Sequence, residues 1–173
     1  MDDKKFNKYK TVADVIEKSF KILKELIKPG EKIYNLAKLN DQNILSELNK
    51  SYKNLKKGLA MPTCISVNDL VCHYSPTEED NYQLKSGDLL RFEVAAYIDD
   101  CCVTLGDTLE IGTNKYDDIK YLQSAMSTGI KMVETNFELK KFDELIKKMV
   151  ESHGYHMLSR PYVFNEEDVK LDY

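Results

Sequence analysis

The chain has no tryptophan and little arginine, two residues against 23 lysines. So few guanidinium groups argue against base-specific, bidentate recognition of nucleic acid; lysine meets phosphate as a point charge. No apolar run approaches the roughly 18–20 residues of a membrane-spanning helix. The polar start, MDDKKFNKYK, lacks the apolar segment of a secretory signal. Together these absences predict a protein of the cytosol or nucleus with no membrane partner. Four cysteines, Cys64, Cys72, Cys101 and Cys102, are too few for a disulfide framework in 173 residues and are expected to be reduced. None has Cys-x-x-Cys spacing, and Cys101 and Cys102 would point to opposite faces of a strand, so buried apolar roles are expected rather than zinc ligation. The seven glycines are scattered and build no phosphate-cradling loop.

What remains is an ordinary globular composition, 42% hydrophobic and 31% charged, at a length that suits one domain with its own core. The net charge of -4 is unevenly spread. Residues 1–60 carry 14 lysines against 8 acids, whereas residues 61–173 carry 11 basic groups against 21 acids. A basic front on an acidic body marks either a polyanion-facing surface or a solvated pair of lysine-rich helices.

From Thr11 onward, Val12, Val15, Ile16, Phe20, Leu23 and Ile27 recur at spacings of three and four, the stripe of an amphipathic helix. Thr11 is expected to cap it, with Asp14 in the capping-box position, and Pro29-Gly30 to stop it near Lys28. Residues 1–10 then read as a flexible basic arm. A second helix is expected over 33–52, with Ile33, Leu36, Leu39, Ile44, Leu45 and Leu48 inward. Residues 58–73 predict a short hairpin turning at Asn68-Asp69, and 75–87 a polar loop. Two further strands, 88–98 and 101–111, should meet at a tight Asp99-Asp100 turn. Amphipathic helices follow over 116–136 (Ile119, Leu122, Ala125, Met126, Ile130, Val133) and 139–152. A strand is expected over 155–164 and an acidic tail over 165–173. The predicted architecture is α+β, an antiparallel sheet covered by helices on one face, with residues 11–164 forming the domain.

Several segments then resemble one family. Lys10-Thr11-Val12-Ala13-Asp14 opens the first helix and Lys28-Pro29-Gly30 closes it. Gly58-Leu59-Ala60-Met61-Pro62-Thr63-Cys64-Ile65-Ser66-Val67-Asn68-Asp69 follows, then Val71-Cys72-His73-Tyr74-Ser75-Pro76, then Leu84-Lys85-Ser86-Gly87-Asp88-Leu89. This pattern is similar to the N-terminal half of the methionine aminopeptidase-like, pita-bread (creatinase/aminopeptidase-like) family, and within it to the proliferation-associated (ErbB-binding) branch. The resemblance is strongest over residues 10–112.

The resemblance implies a test of the family's chemistry. Its peptidases hold two divalent ions with two Asp, one His and two Glu, a donor set suited to ions that activate a bridging water. The first Asp position falls on Glu93, the second on Thr104 and the His position on Arg160; the two Glu belong to a C-terminal half that this chain lacks. A neutral hydroxyl and a fixed cation are poor ligands, so these three are expected to be degenerate metal-site positions, with no metal or other cofactor and no catalysis. Asp99, Asp100 and Asp107 could in principle form a different site, but they sit at a turn and a strand end, where solvated roles suit them better. His73 falls where the peptidases contact substrate, and is expected to line a leftover pocket or to be hydrogen-bonded at a hairpin end.

Members of the branch are non-catalytic and bind the large ribosomal subunit, its rRNA and proteins, around the peptide exit tunnel. The resemblance therefore implies a ribosome-associated binding protein, with Lys4, Lys5, Lys8, Lys10, Lys53, Lys56 and Lys57 as candidate phosphate contacts. A protein partner or self-association is expected to cover the missing half of the fold. Two other functions fit the residues less fully: a protein-only scaffold binding peptides through the degenerate cleft, and a residual metal-dependent aminopeptidase.

Overall fold

In the computed structural model, which describes residues 2–112, 117–132 and 139–155, the first helix begins well before its apolar stripe. α1 spans Asp3–Leu26 and is capped by Asp2, whose extended backbone lets Oδ1 accept the Lys5 N–H at 2.6 Å. Asp3 adds a negative charge to the first turn. From Asp3 onward the expected arm over 1–10 is thus helical. Thr11 is no cap but an interior residue, its hydroxyl donating to the Asn7 carbonyl at 2.8 Å. Ile27 leaves the helix with extended backbone, two residues before Pro29. Gly30 turns the chain at φ +93°, donating its N–H to the Leu84 carbonyl.

α2, Ile33–Leu48, ends one turn earlier than its apolar spacing predicts. Beyond it the carbonyls of Ser51 and Tyr52 are taken by the Lys57 ammonium, at 2.9 and 3.0 Å. Three strands follow: β1 Lys57–Val67, β2 Leu89–Ile98 and β3 Cys101–Glu110. They form one antiparallel sheet in the order β1-β2-β3. The β2–β3 ladder runs without interruption from Leu89↔Glu110 to Ile98↔Cys101, across the Asp99-Asp100 turn. The β1–β2 register shifts between Leu59 and Cys64, where Pro62 has no N–H to give to a ladder.

The hairpin expected over 58–73 is a single strand followed by irregular chain. Side chains take the place of the missing ladder. Arg91 Nη1 donates to the carbonyls of Asn68 and Leu70 at 2.8 and 2.9 Å, and Ser66 Oγ accepts the Tyr74 N–H at 3.2 Å.

α1 and α2 cover one face of the sheet. Leu59, Ile65 and Val67 of β1, alternate residues Leu90 to Ile98 of β2, and Val103, Leu105 and Leu109 of β3 all point towards them. Two apolar clusters result, one around Phe20, Leu23, Leu36 and Phe92, the other around Val12, Ile16, Ile44 and Ile98. Where they adjoin, both helices carry a buried polar residue, Ser19 and Asn40. The Ser19 hydroxyl donates to Asn40 Oδ1 at 2.8 Å, Asn40 Nδ2 donates to Thr63 Oγ1 at 2.8 Å, and the Thr63 hydroxyl donates to Asp41 Oδ1 at 2.6 Å. Asp41 Oδ1 also accepts the Thr63 N–H at 2.8 Å. This relay ties α1, α2 and the bulged part of β1 together. Leu39 and Leu45, expected inward on α2, are each 39% exposed; Ala37 and Asn40 take the inward positions.

The chain divides into two compact units, Met1–Lys115 and Tyr116–Tyr173. The second contains α3, Asp117–Met132, and α4, Leu139–Ser152. Gly129 lets these helices approach, since a β-carbon there would meet the Phe142 ring at 2.8 Å. Leu122, Met126 and Ile130, part of the expected apolar stripe, are 48, 61 and 65% exposed, because Ala125 and Gly129 form the buried edge of α3 instead. The strand expected over 155–164, apart from Tyr155, and the tail over 165–173 lie outside the described residues.

Replacing Asn40 by Ala should remove the side-chain acceptor of the Ser19 hydroxyl and the donor to Thr63 Oγ1, and cost about 1–3 kcal/mol. In urea unfolding the midpoint should fall with the slope unchanged, while the exposed Gln42→Ala leaves it in place.

Candidate functional site on the polar sheet face

The sheet face opposite the helices carries Cys64 and Ser66 of β1, Arg91, Glu93 and Tyr97 of β2, and Cys102, Thr104 and Thr108 of β3. Glu93 and Thr104 share this face. Glu93 stands opposite Gly106 and Thr104 opposite Ala95, which makes the two diagonal neighbours roughly 7–8 Å apart. Thr104 is exposed and supplies only a neutral hydroxyl. Arg160 lies outside the described residues.

His73 comes to Glu93. Its backbone N–H donates to Glu93 Oε2 at 2.6 Å, and its Nδ1 lies 3.2 Å from the same oxygen. The His73 backbone is left-handed, φ +60°, and is held so by this bond and by the neighbouring Tyr74–Ser66 bond. Cys72 joins them: its sulfur, a His73 ring nitrogen and a Glu93 oxygen all lie within 4.8 Å of one another. Cys72 and Cys102 are exposed, which corrects the expectation of four buried cysteines; only Cys64 and Cys101 are buried. Burial, and then the negative charge of Glu93, pushes the Cys64 thiol up from its ordinary value.

The segment is positioned from the start of β2. Asp88 is buried, and burial works against its charge. Hydrogen bonds from Asn68 Nδ2 (3.0 Å), the Lys85 N–H (2.7 Å) and the Tyr82 hydroxyl (3.0 Å) outweigh that and hold its carboxyl below the usual value. Asn68, at φ +52°, also accepts the Leu89 N–H on its side-chain oxygen. The turn that launches residues 69–74 is therefore fastened to β2 at Asp88, Leu89 and Arg91.

The lysines meet at another place. Lys8 pairs with Asp99 at 2.6 Å and Lys5 with Asp100 at 3.3 Å, and the Asp99 N–H donates to the Lys56 carbonyl at 2.7 Å. The start of α1 and the chain leading into β1 thus converge on the tip of the β2–β3 hairpin. Asp99 accepts a hydrogen bond from Lys8 and raises its pKa; Asp100 is lowered, first by the Cys101 thiol and then by Lys5. Lys10 pairs with Asp14 and Lys57 is half-buried on backbone carbonyls, whereas Lys4, Lys53 and Lys56 are exposed with no ion pair among the described residues. Asp107 is apart from this tip, bound to Lys24 at 2.5 Å, so Asp99, Asp100 and Asp107 form no cluster.

An antiparallel sheet with helices on one face and polar groups on the other is the fold of known peptidase structures. A methionine aminopeptidase from Thermotoga maritima superposes with a TM-score of 0.74 at 22% identity, covering 89% of this chain and 62% of that one. Residues 7–167 match the metallopeptidase family M24. The chain belongs to that family, and its sheet is part of the pita-bread fold. Among curated relatives it is 37% identical over 105 residues to ErbB-3 binding protein 1 of Solanum tuberosum, which covers 58% of this chain and 27% of that protein. It is 32% identical over 161 residues to the curved DNA-binding protein of Schizosaccharomyces pombe, covering 86% and 42%. The chain thus spans less than half the length of either relative, and resembles the ErbB-binding branch of the family.

Asp88 sets an acid limit on this side of the fold. A carboxyl with its folded pKa below the unfolded one stabilises fully above the unfolded value and loses that contribution as pH falls through the folded value. Asp88→Asn should therefore be less stable than the parent at neutral pH, with the gap closing from about pH 4 downward. Unfolding midpoints measured across that range check this.

Proposed function

We propose that this chain is a non-catalytic member of family M24 that binds the large ribosomal subunit through the lysines at its hairpin tip. The observation that carries this reading is the convergence of residues 4–8 and 53–57 on Asp99 and Asp100. Two lysine-rich segments far apart in sequence become one end of the domain. Lys4, Lys53 and Lys56 are the groups best placed for phosphate, because Lys5, Lys8, Lys10 and Lys57 already serve partners within the chain. The name of the fission yeast relative, a curved DNA-binding protein, supports a polyanion as ligand. The resemblance to the ErbB-binding branch supports rRNA near the exit tunnel as that polyanion.

The absence of catalysis rests on donor chemistry. A two-ion hydrolytic centre needs several carboxylates around a shared water. Of the positions that the resemblance assigns to its ligands, Glu93 keeps a carboxylate, Thr104 is neutral and Arg160 is cationic. Incubation with a methionyl peptide and Co2+ or Mn2+ should release no methionine; turnover dependent on Glu93 would overturn the non-catalytic reading.

The binding reading is tested by sedimentation with large ribosomal subunits. The protein should co-migrate at moderate salt and be released at high salt. Lys4→Glu, Lys53→Glu and Lys56→Glu together should release it at lower salt. They should also flatten the dependence of log K on log salt by roughly 0.7–0.9 for each phosphate that is no longer neutralised. Migration as a free species at both salts would remove the ribosome reading. Co-migration unaffected by these substitutions would leave a protein-only interface in its place.

A further inference from the structure

Cys72, His73 and Glu93 offer three different donors on one patch of the sheet face opposite α1 and α2, and neither Cys72 nor His73 is a metal ligand in the peptidase pattern that the family resemblance implies. We propose that these three side chains bind a single zinc-class transition-metal ion, with one coordination position left open to solvent. A thiolate, an imidazole and a carboxylate together suit Zn2+, Co2+ or Ni2+; hard ions such as Mg2+ and Ca2+ prefer oxygen alone.

The geometry is close to what such an ion needs. Bonds of about 2.0–2.3 Å in a tetrahedron put ligand atoms roughly 3.3–3.8 Å apart. Here the three ligand atoms already lie within 4.8 Å, and the His73 ring nitrogen is 3.2 Å from Glu93 Oε2. Closing the remaining gap of about an ångström needs only rotation of Cys72 and His73, both exposed. Glu93 is the fixed member, its side chain 22% exposed and on the middle strand of the sheet. The His73 N–H holds one Glu93 oxygen, a contact of the kind that orients metal ligands from outside.

Backbone features place Cys72 and His73 over Glu93. In extended chain, neighbouring side chains point to opposite sides. The left-handed turn at His73 breaks that alternation. The segment is anchored before Cys72 by the Arg91–Leu70 bond and after His73 by the bonds of Tyr74 to Ser66 and to the Ile65 N–H. Little further ordering is therefore needed on binding. Cys64, across from Glu93 on β1, is buried, and its sulfur is not among the ligand atoms that meet here. One ion with three ligands is not the two-ion centre of a peptidase, and the site stands apart from the lysine cluster.

The test is titration of the whole chain, kept reduced with a phosphine, with Zn2+ by calorimetry and with Co2+ by absorption. One equivalent should bind, and Co2+ should give a thiolate-to-metal charge-transfer band. Cys72→Ser should abolish the band, and His73→Gln and Glu93→Gln should each weaken binding at least about tenfold, the lower end of what even outer partners of metal ligands contribute. Cys102→Ser, at the other exposed cysteine, should bind like the parent. Circular dichroism of each variant identifies any that has failed to fold. If Glu93→Gln does not fold, Cys72→Ser and His73→Gln alone carry the test. No stoichiometric binding by the parent, or loss of the band in Cys102→Ser with retention in Cys72→Ser, would overturn the proposal.

Discussion

The first unit of this fold turns on one buried chain of hydrogen bonds, from Ser19 through Asn40 and Thr63 to Asp41. Polar groups removed from water are costly unless each donor and acceptor is paired. Here the pairing is directional: serine gives to asparagine, asparagine to threonine, threonine to aspartate. Apolar packing would tolerate small slides of α1 against α2 or of α2 against β1. The relay fixes both at once, because Asn40 is shared. It also accounts for where β1 bulges. Pro62 breaks the ladder, and the Thr63 N–H made available there is taken by Asp41.

That fixed point determines the chemistry beyond it. After the bulge, β1 is back in register with β2, with Cys64 opposite Glu93 and Ser66 opposite Arg91. The chain then leaves the sheet at Asn68, held by Asp88 and Arg91, and returns over Glu93 as Cys72 and His73. The two helices shield one sheet face with apolar side chains, and the other is left for polar groups. The lysine cluster follows from a different constraint, the tight hairpin at Asp99-Asp100. Its two carboxylates gather the start of α1, and its backbone gathers the chain before β1.

Much of this was legible in the residues. The stripe of Val12, Ile16, Phe20 and Leu23, the uninterrupted hairpin on either side of Asp99-Asp100 and the helix over 139–152 all follow from local periodicity, and all are observed. The early start of α1 was missed because its cap, Asp2, precedes any apolar repeat; an acid pair ahead of a lysine-rich, breaker-free run was the available signal. The return strand after Asn68 was wrongly expected because Val71 carries β-propensity, yet it is 64% exposed, and Arg91, Ser66 and Glu93 bind the backbone instead. Cysteine as a residue type favours the core, yet Cys72 is exposed, and spacing along the chain carries no signal that pairs it with Glu93.

The sequence by itself determined the α+β layering, the two leading helices, the hairpin at Asp99-Asp100 and the family, because hydrophobic period, turn residues and short motifs are local properties written in neighbouring positions. Tertiary structure alone decided which distant groups meet. His73 reaches a residue 20 positions away, and Lys8 reaches one 91 positions away. Such pairs are set by antiparallel register and by the angle at which helices cross a sheet. Those quantities depend on packing across the whole unit, and a linear pattern carries no direct record of them.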